Sequence, residues 1–256
     1  MKQLIHLNQN GRINLTDPFS GVAQLSGLQA IDSLPNEVGY DSQVTIDWHF
    51  SVANNEFYSA ESSNHKIYRT LDTPSATYHT VVHTACAGIS GTSNIVQQIW
   101  GKFAGLSMVN AFGFPMTYWG EGDDTPGTLE GLIKYKDGRC GPWADFFYSC
   151  LKVHSINSQG LGICPDKSVL GPNIKGFIIY ENLPGQNNNK PEYRFQNHAV
   201  VLYGYGFYDP SYGKIYYGTN NNTRVLAWED SSVDKYGRQD NSTFSDTKGV
   251  RECKIY

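Results

Sequence analysis

The chain has 256 residues, of which 39% are hydrophobic and 17% charged, and its net charge is −4. A chain of this length can bury a substantial core without help from disulfides or metals. No cluster of Lys or Arg stands out, which argues against a nucleic-acid partner. No stretch of about 18 apolar residues occurs either, so the sequence predicts no membrane insertion.

Residues 1–75 are predicted to form a β-rich N-terminal region. Residues 43–52 alternate between apolar and polar side chains, as in a half-buried strand, and residues 66–71 form a second candidate strand. We interpret the region as a small β-sandwich-like module, and an irregular arm on the main domain is the alternative. The first residues lack the apolar core of a signal peptide, which indicates a cytoplasmic protein. If the sequence is part of a longer chain, an extracellular or periplasmic location is the alternative.

A helical period replaces the β pattern from about residue 76. Residues 78–89 and 93–106 place apolar side chains at spacings of three and four, which predicts two amphipathic helices. Thr125 and Pro126 are typical of an N-cap followed by proline at the first helical position. They predict a short helix over Leu129–Tyr135, ended by Asp137 and Gly138.

The most informative segment is the one around Cys140. Pro142 fits only the first turn of a helix, so Cys140 is predicted to lie at a helix N-terminus. There the helix dipole and free backbone N–H groups favour a reactive thiolate and can stabilise an oxyanion. Gly138 and Gly141 would let a substrate backbone approach closely. A buried structural cysteine that begins a helix is the alternative.

The last third of the chain returns to a β pattern. The candidate strands are residues 175–180, 198–203, 214–217 and 225–228. Helices followed by strands predict an α+β fold in which helices pack on an antiparallel sheet. We therefore treat residues 76–256 as one domain.

His198 and Asp209 lie on either side of a Gly-rich turn in this region. If the hairpin has a two-residue loop at Tyr203 and Gly204, His198 lies directly opposite Asp209, with Cβ atoms roughly 4.5–5.5 Å apart. The carboxylate could then accept from one imidazole nitrogen while the other faces a thiol. A register shift of one residue would place the two side chains on opposite faces. An unrelated Asp in an Asp-Pro turn is the alternative.

The segment Gly138-Arg-Cys-Gly-Pro-Trp-Ala144, followed by an aromatic helix, resembles the nucleophile segment of transglutaminase-like proteins, especially the peptide N-glycanase branch. Asn197-His198-Ala199 and Tyr208-Asp209-Pro210 are similar to the histidine and Asp-Pro strands of that family, in the same order. The match covers residues 125–213, about a third of the chain. The resemblance implies a papain-like thiol site with Cys140 as nucleophile, His198 as base and Asp209 as the orienting carboxylate.

The resemblance also implies thiol-dependent acyl chemistry on amide or peptide bonds of a peptide or protein substrate, without cofactor or metal. Substrate contacts are expected from Gly138, Gly141, Trp143 and Trp119, and an upstream Trp, either Trp119 or Trp100, would assist the oxyanion. A catalytically silent binding or scaffold module is the alternative, and acetyl transfer would need a coenzyme A site that the sequence does not show. The paired CxxC zinc motifs of peptide N-glycanases and the calcium sites of animal transglutaminases have no counterpart here, so neither specific activity is carried over.

Two further patterns involve cysteine. His79, His83 and Cys86 have the spacing of metal ligands on a helix, but a packed helix face explains them as well, and we predict no metal site. The four cysteines other than Cys140 could form two disulfides or remain buried thiols.

Overall fold

The computed structural model describes residues 7–8, 29–30, 36–51, 57–75, 77–121, 124–191, 194–237, 244–245 and 247–254. The helices are α1 (His79–Cys86), α2 (Ile95–Ala104), α3 (Leu129–Tyr135), α4 (Cys140–Lys152), α5 (Lys167–Leu170) and α6 (Asn221–Ser232). The strands are β1 (Leu7–Asn8), β2 (Gln29–Ala30), β3 (Gly39–Ser51), β4 (Phe57–Arg69), β5 (Thr117–Tyr118), β6 (Asp137–Gly138), β7 (Gln159–Pro165), β8 (Gly176–Ile179), β9 (Arg194–Phe195), β10 (His198–Tyr203), β11 (Gly206–Asp209), β12 (Lys214–Tyr217), β13 (Val233–Gly237), β14 (Phe244–Ser245) and β15 (Val250–Cys253).

Two antiparallel sheets dominate the fold. The larger has the order β12-β11-β10-β7-β15, and the smaller has the order β14-β13-β8-β9. Helix α4 packs on β10 and β7 of the larger sheet and contacts α1, α2 and α3 on its other sides. The α+β class with helices on an antiparallel sheet is therefore confirmed.

Helix α4 is the central helix of the core. The predicted apolar face of the helix is fully buried, and its members are Trp143, Phe146, Phe147, Cys150 and Leu151. Burying one large apolar side chain contributes roughly 1.5–3 kcal/mol. This packing fixes the first residue of α4, Cys140, relative to the sheet.

Two predicted local features are wrong. Helix α3 is capped by Thr128, whose side chain accepts from the backbone N–H of Gly131, and not by Thr125. Residues 225–228 lie inside α6 and not on a strand. Asn220 and Thr223 form a reciprocal capping box that begins this helix, and the local hydrogen bonds of the box override the β-like pattern that follows.

In the N-terminal region, the structure describes a long hairpin of β3 and β4, each of 13 residues. Bulges between Asp41 and Val44 and between Asp47 and His49 interrupt the strict alternation on which the strand prediction depended. The predicted β-sandwich-like module and the domain boundary near residue 75 stay predictions.

The cysteines adopt a mixture of the two states that the sequence left open. Cys164 on β7 and Cys253 on β15 form a disulfide with a Cα–Cα distance of 5.9 Å. Cys86 and Cys150 are buried free thiols, as is Cys140. None of the helices in the described residues is long and apolar enough to cross a membrane.

Candidate active site

Cys140 is the first residue of α4, as predicted. The N-cap residue, Arg139, is extended and makes no capping hydrogen bond with its side chain. The first N–H groups of a helix have no acceptor within the helix, and those of α4 belong to Cys140 and Gly141. The positive end of the helix dipole is thus open beside the sulfur, which favours negative charge there.

A short parallel pairing of β5 with β6 holds this helix start in place. Tyr118 pairs with Gly138, and the backbone N–H of Trp119 donates to the carbonyl of Gly138 at 3.1 Å. The buried carboxylate of Asp137 accepts from the N–H groups of Gly120 and Glu121 at 2.8 and 3.0 Å. The segment that contains Tyr118 and Trp119 is therefore tied directly to the residues that precede Cys140.

The hairpin of β10 and β11 brings His198 and Asp209 together in a different register from the one predicted. Val201 pairs with Tyr208 and Tyr203 with Gly206, so the two-residue loop is Gly204–Tyr205. Continuing this register places Asp209 opposite residue 200, two positions from His198. Because side chains alternate with a period of two, a shift of two residues keeps His198 and Asp209 on the same face. His198 Nε2 and Asp209 Oδ2 are 2.8 Å apart.

Three further donors hold the carboxylate of Asp209. The backbone N–H groups of Ser211 and Tyr212 donate to Oδ1 at 3.2 and 3.4 Å, and Trp228 Nε1 donates to Oδ2 at 3.3 Å. The side chains of His198 and Asp209 are both completely buried. The four donors occupy both oxygens of the buried carboxylate and fix its orientation.

The environment of His198 favours its protonated form. Burial on its own would lower the pKa of the imidazole, but the charge and hydrogen bond of Asp209, together with the Cys140 sulfur, raise the pKa to about 10. The rings of Tyr212 and Trp228 each stack on the imidazole with centroids 5.4 Å away, an arrangement that also favours a cation. The contacts of His198 thus favour the imidazolium over the neutral ring.

The sulfur of Cys140 lies close enough to His198 to interact with the ring. Nε2 is occupied by Asp209, so Nδ1 is the nitrogen left for the sulfur. Nδ1 makes no hydrogen bond of normal geometry, and such bonds are often long before substrate binds in thiol and serine sites. The structure thus brings together Cys140, His198 and Asp209, the three residues that the sequence selected.

No protein-family model, curated protein or solved structure matches this chain.

The four residues expected to contact substrate fall into two groups. Trp119 is half-buried, adopts a positive φ of 53° and leaves its Nε1 without a partner, and Gly141 is half-buried in the first turn of α4. Gly138 and Trp143 have structural positions instead. A Cβ on Gly138 would lie 3.0 Å from Leu132 and 3.2 Å from Pro142, and Trp143 is completely buried in the core. Both residues are packed into the core in this structure, and a contact between either of them and a substrate stays a prediction.

Sequence reasoning missed three aromatic residues of the site. Tyr118 and Tyr212 are buried with ring centroids 5.2 Å apart, and both interact electrostatically with Cys140. The sequence predicts a strand at Trp228, but this residue lies on α6 and donates to Asp209 from there. No local pattern marks these residues, because they meet the triad only through the packing of separate elements.

The histidine pair on α1 has a different environment. Tyr68 Oη lies 2.7 Å from His79 Nε2 and 3.2 Å from His83 Nδ1, and Cys86 donates to the carbonyl of Arg69 at 3.6 Å. Within the described ranges, no group of three or more His, Cys, Asp or Glu side chains could hold a metal ion. The other oxyanion candidate, Trp100, packs in the core on Phe147 and Tyr208.

Proposed function

We propose that this chain is a thiol-dependent enzyme that attacks carboxamide or peptide bonds through Cys140, with a transglutaminase-like catalytic domain over residues 76–256. The observation that supports the proposal most is the buried group of three side chains: a cysteine at a helix N-terminus, a histidine whose pKa is raised, and a carboxylate that accepts from four donors. An arrangement of this kind generates a thiolate and a proton donor side by side.

In the first step, the Cys140 thiolate attacks the carbonyl carbon of the substrate and forms a carbon–sulfur bond. The carbonyl oxygen becomes an oxyanion, which the open N–H groups at the start of α4 can stabilise. His198 then gives its Nδ1 proton to the leaving nitrogen, the carbon–nitrogen bond breaks, and ammonia or an amine departs. A thioester on Cys140 and a neutral His198 remain, and Nε2 of His198 still donates a hydrogen bond to Asp209.

In the second step, water or an amine acts as the acyl acceptor. His198 removes a proton from it, and it attacks the thioester and releases Cys140 as a thiolate. Water as acceptor gives a carboxylic acid, and an amine gives a new amide. We propose hydrolysis as the main reaction, because water is the default acceptor wherever a site does not exclude it. Trp119, with its unpartnered Nε1, is the candidate side-chain donor to the oxyanion.

One observation favours a second candidate, a binding module that keeps the site without turnover. Cys140 is only 7% exposed and His198 is completely buried. A substrate can therefore reach the sulfur only if the segments over the site move. If these segments do not move, Cys140, His198 and Asp209 can only stabilise the fold.

The experiment that separates the two candidates uses a mixed peptide library incubated with wild-type protein, Cys140→Ala and Cys86→Ala. Mass spectrometry reads peptide cleavage, loss of ammonia from side-chain amides, and cross-linking to added amines. We expect activity in the wild type and none in Cys140→Ala. Cys86→Ala should keep its activity, because Cys86 lies on α1 and takes no part in the proposed reaction. Activity that survives in Cys140→Ala would refute Cys140 as nucleophile, and an inactive wild type would support the binding module.

A further inference from the structure

Two phenylalanine side chains of one loop are exposed to solvent. Phe112 is 69% exposed and Phe114 is 56% exposed. The phenylalanines of the core, such as Phe103 and Phe147, are completely buried instead. The loop comprises residues 109–115, and we call it the aromatic loop. Single exposed apolar side chains are common on protein surfaces, but a group of large ones is typical of an interaction surface.

The backbone of the aromatic loop is closed by its own hydrogen bonds. The N–H of Asn110 donates to the carbonyl of Phe114, and the N–H of Gly113 donates to the carbonyl of Asn110, both at 2.9 Å. The side-chain oxygen of Asn110 accepts from the N–H groups of Phe112 and Phe114, each at 3.0 Å. The asparagine side chain thus takes the place that water has as the acceptor in an open turn.

Contacts with α1 fix the position of the aromatic loop. The N–H of Ala111 donates to Thr80 Oγ1 at 3.4 Å. The Phe112 ring meets the His79 ring edge-on, with centroids 5.8 Å apart. Each N–H from residue 110 to residue 114 therefore has an acceptor within the protein. The tip of the loop can enter an apolar environment without leaving an N–H group unpaired there.

Exposed lysines lie beside the aromatic loop. Lys136 Nζ is 5.8 Å from the centroid of the Phe114 ring. Lys134 Nζ is 5.1 Å from the centroid of the Tyr135 ring, which is also exposed. The N–H of Thr117 donates to the carbonyl of Lys136 at 2.7 Å, which holds the loop against the end of α3. Within the described ranges, neither lysine pairs with a carboxylate, so apolar rings and positive charge share one surface.

This combination of side chains fits the surface of an anionic lipid bilayer. Phenylalanine enters the boundary between headgroups and acyl chains, tyrosine favours the headgroup level, and lysine is attracted to anionic headgroups. The apolar part of a bilayer offers no water, so a loop whose N–H groups are already paired is suited to it. A pocket on a folded protein would supply hydrogen-bonding groups of its own, and the closed backbone of the loop would give no advantage there.

We propose that the aromatic loop docks the protein on an anionic lipid bilayer, with Phe112 and Phe114 in the boundary region and Lys134 and Lys136 against the headgroups. Docking of this kind inserts side chains and needs no membrane-spanning helix. It is independent of the reaction proposed at Cys140.

The test measures co-sedimentation of the protein with lipid vesicles. One set of vesicles contains phosphatidylcholine alone, and the other set also contains phosphatidylserine. The wild type is compared with four single variants, which are Phe112→Ser, Phe114→Ser, Lys134→Gln and Lys136→Gln.

The matched controls are Tyr217→Ser and Lys167→Gln. Both residues are exposed, and they lie on β12 and α5, away from the aromatic loop in the chain. Circular dichroism and thermal melting confirm that each variant is folded. The two Phe variants provide independent readings if one of them is not.

We expect the wild type to bind the vesicles that contain phosphatidylserine and to bind phosphatidylcholine alone more weakly. Each Phe substitution should lower the partition coefficient about tenfold. Each Lys substitution should lower it about fivefold on the vesicles that contain phosphatidylserine, and the controls should bind like the wild type. A wild type that sediments with neither set of vesicles, or whose binding neither Phe substitution weakens, would overturn the inference and favour a protein partner for the loop. No outcome depends on turnover, so the proposed function is tested separately.

Discussion

Two clusters among the described residues bring a cysteine, a histidine and a tyrosine together, and they differ in helix position and in charge. The first cluster comprises Cys140, His198 and Tyr212, and the second comprises Cys86, His83 and Tyr68. Cys140 begins α4, whereas Cys86 is the last residue of α1. The helix dipole therefore favours negative charge on the first sulfur and opposes it on the second.

The histidines of the two clusters shift in opposite directions. Asp209 and Cys140 raise the pKa of His198 against the effect of burial. Among the described residues no carboxylate acts on His83, and burial and the charge of Lys102 lower its pKa. Burial also raises the pKa of the Cys86 thiol to about 11. The comparison shows that the same residue types have opposite electrostatic environments, according to the end of the helix that the cysteine occupies and the presence of a buried carboxylate beside the histidine.

The largest effect should come from Asp209→Asn. The amide keeps the shape of the side chain but removes the charge that orients the His198 ring and favours its protonation, so kcat should fall by about 10⁴-fold. Steady-state kinetics on a peptide substrate found in the library would measure it. The matched change in the other cluster, Tyr68→Phe, removes the hydroxyl shared by His79 and His83 and should leave kcat unchanged. Equal rates for wild type and Asp209→Asn would make Asp209 a turn residue only.

A smaller effect is expected from Trp228→Phe. The substitution keeps an aromatic ring against His198 but removes the N–H that donates to Asp209 Oδ2 at 3.3 Å. Loss of one hydrogen bond to a charged group should lower kcat about tenfold and shift the alkaline limb of the pH–rate profile to higher pH, because Trp228 no longer competes with His198 for Asp209 Oδ2. Trp100→Phe, a buried Trp that packs on Phe147 and Tyr208, is the control. A profile that both variants change alike would show that Trp228 acts only through packing.

The smallest effect concerns the pH dependence of the free energy of unfolding. The pKa of His198 is raised above its unfolded value, so its contribution is complete below about pH 6.5 and is lost as the pH rises towards 10. The pKa of His83 is lowered, so the unfolded chain binds that proton first. Stability linked to His83 should therefore fall as the pH drops below about 6.5.

Urea titrations of wild type, His198→Gln and His83→Gln across this pH range would measure both contributions. The stability advantage of wild type over His198→Gln should shrink as the pH rises from about 6.5 to 10. His83→Gln should reduce the loss of stability on the acid side. Parallel curves for wild type and His198→Gln would show that His198 is not protonated in the folded protein.

The sequence by itself determined the local features of the site. Pro142 allows only the first turn of a helix, which placed Cys140 at the start of α4, and the spacing of apolar residues identified the buried face of that helix. The strand that begins at His198 was also predicted, as was the α+β class. Each of these properties depends on residues close together in the chain, so the local sequence pattern is enough to predict it.

Only the tertiary structure decided how the site is completed. The hairpin register differs by two residues from the predicted one, because the loop begins at Gly204. His198 and Asp209 still share a face of the sheet, because side chains alternate along a strand with a period of two residues. Trp228 reaches Asp209 from a helix that a capping box begins at Asn220. Tyr118 and Tyr212 meet beside Cys140 from strand and loop segments far apart in the chain. Such contacts depend on how separate elements pack, and a pattern of neighbouring residues cannot predict that packing.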